Sequence, residues 1–130
     1  MNDILVPISP GELLDKITIL RIKSARIADE AQLANVHREL SRLQASRLAV
    51  LGADADLAAD EAALERVNAE LWDIEDRIRD HEARRCFDAA FIELARAVYL
   101  RNDERAAIKR RINLKLRSAL LEEKSYRPYR

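Results

Sequence analysis

The sequence feature that most constrains the fold is a helical repeat in residues 64–82, which read LERVNAELWDIEDRIRDHE. Its apolar residues recur at alternating steps of three and four, and this spacing places them along one side of a helix. The other side carries acid–base pairs four residues apart, in the orientation that favours helical ion pairs. The stretch therefore predicts a core-forming helix with one solvated side. Its apolar positions are Leu64, Val67, Leu71, Ile74 and Ile78.

The composition extends the helical prediction to the whole chain. Ala, Leu, Arg and Glu dominate, and residues 53–127 contain neither glycine nor proline. Helix-favouring residues without a strong breaker over this length predict an all-α fold. With 130 residues in total, we expect a single domain that spans residues 1–130.

Capping residues and changes of apolar phase divide the chain into elements. Ser9, Pro10 and Glu12 have the pattern of a helix start, Asp29 begins a second helix, and Gly52 ends it. The apolar phase turns by about half a revolution after residue 82, so we predict a break before a fourth helix. The prediction is an antiparallel bundle of about four helices with a short N-terminal β-strand or extended arm. The elements are a strand or arm at 1–8, helices at 9–28, 30–51, 57–83 and 87–121, and a polar tail at 122–130.

Residues 4–8 (ILVPI) are the one segment with strand character. The segment is short and β-branched, and Pro7 would confine it to a sheet edge. No other stretch of the sequence is predicted to pair with it. It must pair with a symmetry mate, lie along the helices as an arm, or not be a strand, and the first case would make a homodimer.

The fourth predicted helix carries the most unusual feature of the sequence. Asn102, Arg105 and Lys109 occupy its apolar stripe. A charge that faces a core is costly unless it is paired, so acidic residues should lie opposite. We expect Glu75 and Glu82 of the third helix to face these cations, with a lysine from the first helix joining them. The residues expected at this polar layer are Lys16, Lys23, Glu75, Glu82, Asn102, Arg105 and Lys109.

The polar layer leaves two classes of function open. A filled and paired layer would fix the register of the helices, and the chain would then be a non-catalytic binding or assembly module. A layer connected to solvent would instead bind an anion, as in a small helical enzyme or a receptor for an anionic metabolite. The helical chorismate mutases have a comparable architecture and charge type and use cations to position a substrate. We favour the module, and the sequence identifies no catalytic residue.

Two pairs of acids suggest a metal-dependent alternative. Glu12 with Asp15, and Asp73 with Asp76, lie one helical turn apart, as do Mg²⁺ ligands in helical nucleotide pyrophosphohydrolases. The spacing departs from the paired glutamate motifs of that family, and capping already explains Glu12. The two histidines and the single cysteine, Cys86, are not at zinc-ligand spacing. We therefore expect neither a metal nor a cofactor.

The charge and hydropathy of the chain limit its partners. Basic and acidic residues are equal in number, so no overall field attracts nucleic acid or an anionic membrane. The cations between Arg105 and Arg117 lack interleaved aromatic residues, which favours a solvated helix face over nucleic-acid binding. No segment approaches the roughly 20 apolar residues of a membrane span, and the start has no secretory pattern. We expect a cytoplasmic protein that associates with itself.

Five stretches of the chain together carry a family resemblance. They are VPISPGELLDKITILRIKSARI, LANVHREL, NAELWDIEDRIRDHE, FDAAFIELARAVYLRNDERAAIKRRIN and EEKSY. They resemble an uncharacterised bacterial family of small helical proteins, a domain of unknown function, over nearly the whole chain. The resemblance implies a bacterial, cytoplasmic, helical protein and brings no activity with it.

Overall fold

The computed structural model describes residues 2–53 and 55–129, and this part of the chain forms four α-helices. A 3₁₀ turn, Ala55–Leu57, leads into the third helix. The helices pack against one another as a bundle, which confirms the predicted fold class. Their bounds are Pro10–Arg26 for α1, Glu30–Leu51 for α2, Ala58–Ala83 for α3 and Ala89–Lys115 for α4.

Side-chain caps define the starts of α1 and α2. Ser9 Oγ accepts a hydrogen bond from the backbone N–H of Glu12 at 3.1 Å, and Pro10 is the first helical residue. The Asp29 carboxylate accepts a hydrogen bond from the backbone N–H of Gln32 at 2.9 Å. Each cap satisfies one of the N–H groups that the first turn of a helix leaves without a partner.

Helix α1 lies at the centre and contacts the three other helices. The sequence places apolar residues on two of its sides, and Leu14 and Ile17 are fully buried. The predicted stripe of α3 packs against it through Leu64 and Val67, which are also fully buried. The continuous core consists of Leu13, Leu14, Ile17, Leu57, Leu64, Val67, Ile108 and Ile112.

Helix α4 runs antiparallel to α1. Gly11, at the start of α1, bonds Asn113 near the end of α4, whereas Asp15, further along α1, bonds Arg105, earlier in α4. Helices α3 and α4 are also antiparallel, and residues 84–88 join them. None of the helices in the described part of the chain has the length and apolar character needed to cross a membrane.

The end of α4 differs from the prediction. The helix stops at Lys115 instead of continuing to residue 121. Arg117 adopts a left-handed backbone (φ 54°), and the N–H of Ser118 donates to the carbonyl of Asn113 at 2.8 Å. This closure commonly places glycine or asparagine at the left-handed position, so an arginine there gave no signal for a helix end. The residues that follow fold back along α4.

Two apolar parts of the chain lie outside the core. Val50 of α2 is 78% exposed, because α2 packs mainly on α1 and buries only a narrow stripe. Residues 2–8, which we call the N-terminal arm, form neither helix nor strand, and all seven are exposed. Within one copy of the chain, the described segment is therefore an arm and not a strand.

Candidate functional site

A buried carboxylate, that of Asp15 on α1, is the centre of the polar layer. Its side chain is 1% exposed. Oδ1 accepts hydrogen bonds from Asn68 Nδ2 and Arg105 Nε, both at 2.9 Å, and Oδ2 accepts one from the second guanidinium nitrogen. The same Asn68 amide donates to Thr18 Oγ1 at 3.0 Å. The carboxylate is thus paired with a cation and hydrogen-bonded, as a buried acidic group requires.

Lys109, one helical turn after Arg105, extends this layer towards the C-terminal tail. Its ammonium lies 2.8 Å from Glu12 Oε2, 3.0 Å from Glu122 Oε2 and 4.0 Å from Asp15 Oδ2. Burial by itself would lower the pKa of Lys109, but the hydrogen bonds to Glu12 and Glu122 outweigh it and raise the pKa. The hydrogen bond from Lys109 in turn lowers the pKa of Glu122. The lysine is therefore held as a cation between three acids.

A close approach of α1 and α4 sets the register of the layer. The backbone N–H of Gly11 donates to Asn113 Oδ1 at 2.7 Å. A Cβ atom at position 11 would lie 2.6 Å from the carbonyl oxygen of Lys109, which is too close for any side chain. Glycine is needed here because it lets the two backbones meet.

A pair of buried acids lies in the first turn of α3. Asp60 accepts hydrogen bonds from Arg111 Nε at 2.7 Å and Lys115 Nζ at 2.8 Å. Burial by itself would raise the pKa of Asp60, but the hydrogen bonds and charges of these two cations outweigh it and lower the pKa. Its neighbour, Glu61, is paired with Arg21 and Arg47. Asp60 thus ties α3 to α4 and does not cap its own helix.

The predicted acidic partners of the polar layer are wrong. Glu75 is exposed and pairs with Arg79 on its own helix, and Glu82 is exposed and lies 3.8 Å from Arg85. The α3 residue that reaches the layer is Asn68. The carboxylates come instead from α1 and the tail, because α1 packs on both α3 and α4.

The other predicted residues lie apart from one another. Lys16 is exposed beside the N-terminal arm, and Lys23 is half-buried in the last turn of α1. Neither lysine forms an ion pair with the residues that the structure describes. Asn102 Oδ1 lies 3.5 Å from a guanidinium nitrogen of Arg105, at the limit of a hydrogen bond. The structure therefore brings together Asn102, Arg105 and Lys109 but neither lysine of α1.

Sequence reasoning missed Asp15 as the partner of Arg105, although a signal was present. Asp15 lies between Leu14 and Lys16 on a helix whose two apolar sides leave few exposed positions. A carboxylate on such a helix is buried and needs a cation. Glu122 offered no comparable signal, because it lies beyond the helices in a tail whose path depends on tertiary contacts.

A groove of about 830 Å³ lies between α4 and the C-terminal tail. The ring of Tyr129 packs edge-on against that of Tyr99, with centroids 5.1 Å apart, and its hydroxyl donates to Asp103. Lys124 and Arg127 also line the groove. Its walls are Val98, Tyr99, Asn102, Asp103, Ala106, Lys124, Tyr126, Arg127, Pro128 and Tyr129.

Comparison with known protein families gives a match over nearly the whole chain. A family model described as a family of unknown function, DUF6165, matches residues 4–129. The chain belongs to DUF6165. The match includes the N-terminal arm, the four helices of the described chain and the tail with Glu122. Neither the curated proteins nor the solved structures gave a match to this DUF6165 chain.

Proposed function

We propose that the chain is a non-catalytic binding or assembly module of the bacterial cytoplasm, and that it pairs with a second copy of itself through the N-terminal arm. The observation that carries the proposal is the exposure of the apolar arm residues. Ile4 is 80% exposed, Leu5 91% and Val6 65%. Exposed apolar residues are ordinary singly, but a run of three on one segment marks an interaction surface.

The backbone of the arm is also available for pairing. Within residues 2–53 and 55–129, no backbone–backbone hydrogen bond involves residues 4–8. An extended segment with free N–H and C=O groups is a template for strand addition. Pro7 lacks an N–H group and limits the length of such a pairing.

Neighbouring apolar residues of α2 enlarge the surface. Leu43, Val50 and Leu51 line a groove next to the arm, and Val50 is 78% exposed. We assign the surface to a second copy because a two-fold contact lets each arm pair with its equivalent. The net charge of zero adds no overall repulsion between copies.

The charges of the polar layer favour a module over an anion receptor at this place. Arg105 and Lys109 contact three carboxylates, those of Glu12, Asp15 and Glu122. Both cations are already paired with carboxylates of the chain, so an anionic ligand would have to displace one of these ion pairs. Every buried side-chain nitrogen and oxygen in the described part of the chain has a hydrogen-bond partner. These features are those of a layer that fixes helix register.

The test is the solution mass of the parent chain and of Leu5→Asp, by sedimentation equilibrium from about 1 µM to about 1 mM. We expect a dimer for the parent and a monomer of unchanged helicity for Leu5→Asp. Ile92→Asp, which replaces an apolar residue of α4 that is 54% exposed, is the matched control and should remain dimeric. A parent that stays monomeric, or a Leu5→Asp variant that remains dimeric, would contradict the proposal.

A receptor for an anionic aromatic metabolite is a second candidate, favoured by the groove between α4 and the tail. Lys124, Arg127 and Asp103 give this groove a positive sum, and Tyr126 offers an aromatic face. Nucleotides are suitable probes because they carry both an aromatic ring and an anion. Thermal stabilisation of the parent by a nucleotide, lost in Tyr126→Ala, would support this candidate. Equal melting temperatures of the parent with and without nucleotide would rule out nucleotides as ligands of this groove.

A further inference from the structure

The turn between α3 and α4 brings together three side chains that bind transition metals. His81 comes from the last turn of α3, Cys86 from the turn itself, and Asp88 is the N-cap of α4. An imidazole nitrogen, the thiol sulfur and a carboxylate oxygen all lie within 4.8 Å of one another. Sequence reasoning assigned His81 and Cys86 no metal-binding partner, because their spacing spans a helix end and does not follow the helical repeat.

Backbone closure holds the first two of these residues in place. Arg85 adopts a left-handed conformation (φ 52°), and the N–H of Cys86 donates to the carbonyl of His81 at 3.0 Å. His81 Nδ1 lies 2.9 Å from the carbonyl oxygen of Cys86. Since a carbonyl only accepts, Nδ1 carries the proton of the neutral ring before a metal binds. Nδ1 also lies 3.6 Å from Asp88 Oδ1, so a metal shared with that carboxylate would take the place of this proton, which moves to Nε2.

The third residue and the ring plane are fixed as well. The Asp88 carboxylate accepts a hydrogen bond from the N–H of Phe91 at 3.0 Å. The ring of Phe91 lies against that of His81, with centroids 6.0 Å apart. The His81 side chain is only 12% exposed. The three donors are therefore held close together before any ligand arrives.

We propose that His81, Cys86 and Asp88 form a three-residue binding site for Zn²⁺. Cysteine sulfur, histidine nitrogen and aspartate oxygen are the donors that zinc takes in proteins, and a tetrahedral site places them about 3.5 Å apart. From 4.8 Å at most, the donors need to close by about 1 Å, which side-chain rotation supplies. The thiol and imidazole favour zinc over Mg²⁺ or Ca²⁺.

The charges balance when zinc binds. The Cys86 thiol releases its proton to solvent, and the resulting thiolate and the Asp88 carboxylate together neutralise Zn²⁺. His81 binds as the neutral imidazole. Three protein donors leave the fourth tetrahedral position to water or to a group from another molecule, the arrangement of zinc sites that take an external ligand.

The test uses Co²⁺ as a spectroscopic stand-in for zinc on the reduced, full-length chain. We expect a thiolate-to-cobalt charge-transfer band in the near ultraviolet and the visible bands of four-coordinate cobalt, with one metal bound per chain. Both should disappear when Zn²⁺ is added. Asp88→Asn is a useful variant because asparagine still caps α4, so the fold is kept while a charged ligand is lost.

Single-residue variants distinguish cobalt binding by all three residues from binding by the Cys86 thiol alone. Cys86→Ser should lose the charge-transfer band, and His81→Gln and Asp88→Asn should each weaken cobalt binding at least about tenfold. His37→Gln, at an exposed position of α2, is the matched control and should bind as the parent does. The absence of a band in the folded parent, or an unchanged affinity in both His81→Gln and Asp88→Asn, would overturn the proposal.

Discussion

The carboxylate of Asp15 on α1 accepts a hydrogen bond from Arg105 on α4, ninety positions later in the chain, at 2.9 Å. Asn68 of α3 donates to the same carboxylate oxygen. Three helices therefore meet at one buried acid. Because a carboxylate takes hydrogen bonds only at fixed positions, a sliding of any of these helices would leave a charge without its partner.

Removing this acid should strongly destabilise the chain. In Asp15→Ala, Arg105 and Lys109 lose a buried partner, and breaking such a pair costs about 3–5 kcal/mol. The measurement is the free energy of unfolding in urea. Glu75→Ala, which removes an exposed carboxylate from an ion pair within one helix, is the control and should change stability by less than about 0.5 kcal/mol.

A double variant separates the contribution of the ion pair to stability from that of side-chain packing. Asp15→Leu combined with Arg105→Met removes both charges, and apolar residues of similar volume often replace a buried ion pair without loss. We expect the double variant to be more stable than Asp15→Leu alone by at least about 1 kcal/mol. Strictly additive losses would mean that the two residues do not act as a pair.

The sequence predicted the helices well because their signals are local. The apolar stripe of Leu64, Val67 and Ile74 and the cap at Ser9 depend on residues within a few turns of one another, and the structure agrees with both. The end of α4 was not predicted, because Arg117 adopts a left-handed backbone there. A glycine or asparagine at this position would have indicated a helix end, whereas an arginine does not.

The partners in the polar layer depend on how the helices dock. The sequence singled out Arg105 and Lys109, since cations on an apolar stripe stand out wherever the helix lies. The predicted partners were Glu75 and Glu82, because these acids border and continue the apolar stripe of α3. The correct acid, Asp15, became identifiable only when the two-sided burial of α1 was combined with its position against α4.

Gly11→Ala should test the close approach of α1 and α4. The new Cβ would lie 2.6 Å from the carbonyl oxygen of Lys109, so the helices must move apart. We expect a loss of about 1–3 kcal/mol in the free energy of unfolding. Gly52→Ala is the comparison, because Gly52 has φ +64° and open space around it. Its loss should come from backbone strain alone, about 1–3 kcal/mol, because glycine almost alone adopts φ +64° with ψ −153°. A Gly11→Ala variant as stable as the parent would contradict the close approach.

The stability of the chain should fall at acidic pH partly through Asp60. Its pKa is lower in the folded state than in the unfolded chain, so the folded state binds the proton less tightly. The resulting stabilisation is complete above the unfolded pKa of about 3.9 and is lost as the pH falls through the folded value.

Asp60→Asn measures this contribution. Urea titrations should show the variant less stable than the parent by about 2 kcal/mol at pH 6, because two hydrogen bonds to cations are weakened. The gap should narrow as the pH falls below about 4. Glu93→Gln alters an exposed pair with Arg96 and is the control, with a small gap at every pH. If the difference in the free energy of unfolding between the parent and Asp60→Asn stays constant down to pH 2, the pKa of Asp60 is not lowered in the folded state.

The bond between Glu122 and Lys109 should hold the C-terminal tail on α4. The pKa of Glu122 is lowered chiefly by its hydrogen bond to Lys109, so the acid is charged at neutral pH and attracted to the ammonium. Glu122→Gln keeps the size of the side chain and removes the charge. We expect trypsin to cleave the chain after Lys124 several-fold faster in this variant, because the tail leaves α4 more often. Glu123→Gln is the control, since Glu123 is 76% exposed in its pair with Arg110, and its cleavage rate should match that of the parent. Equal cleavage rates in all three chains would show that contacts other than this ion pair hold the tail.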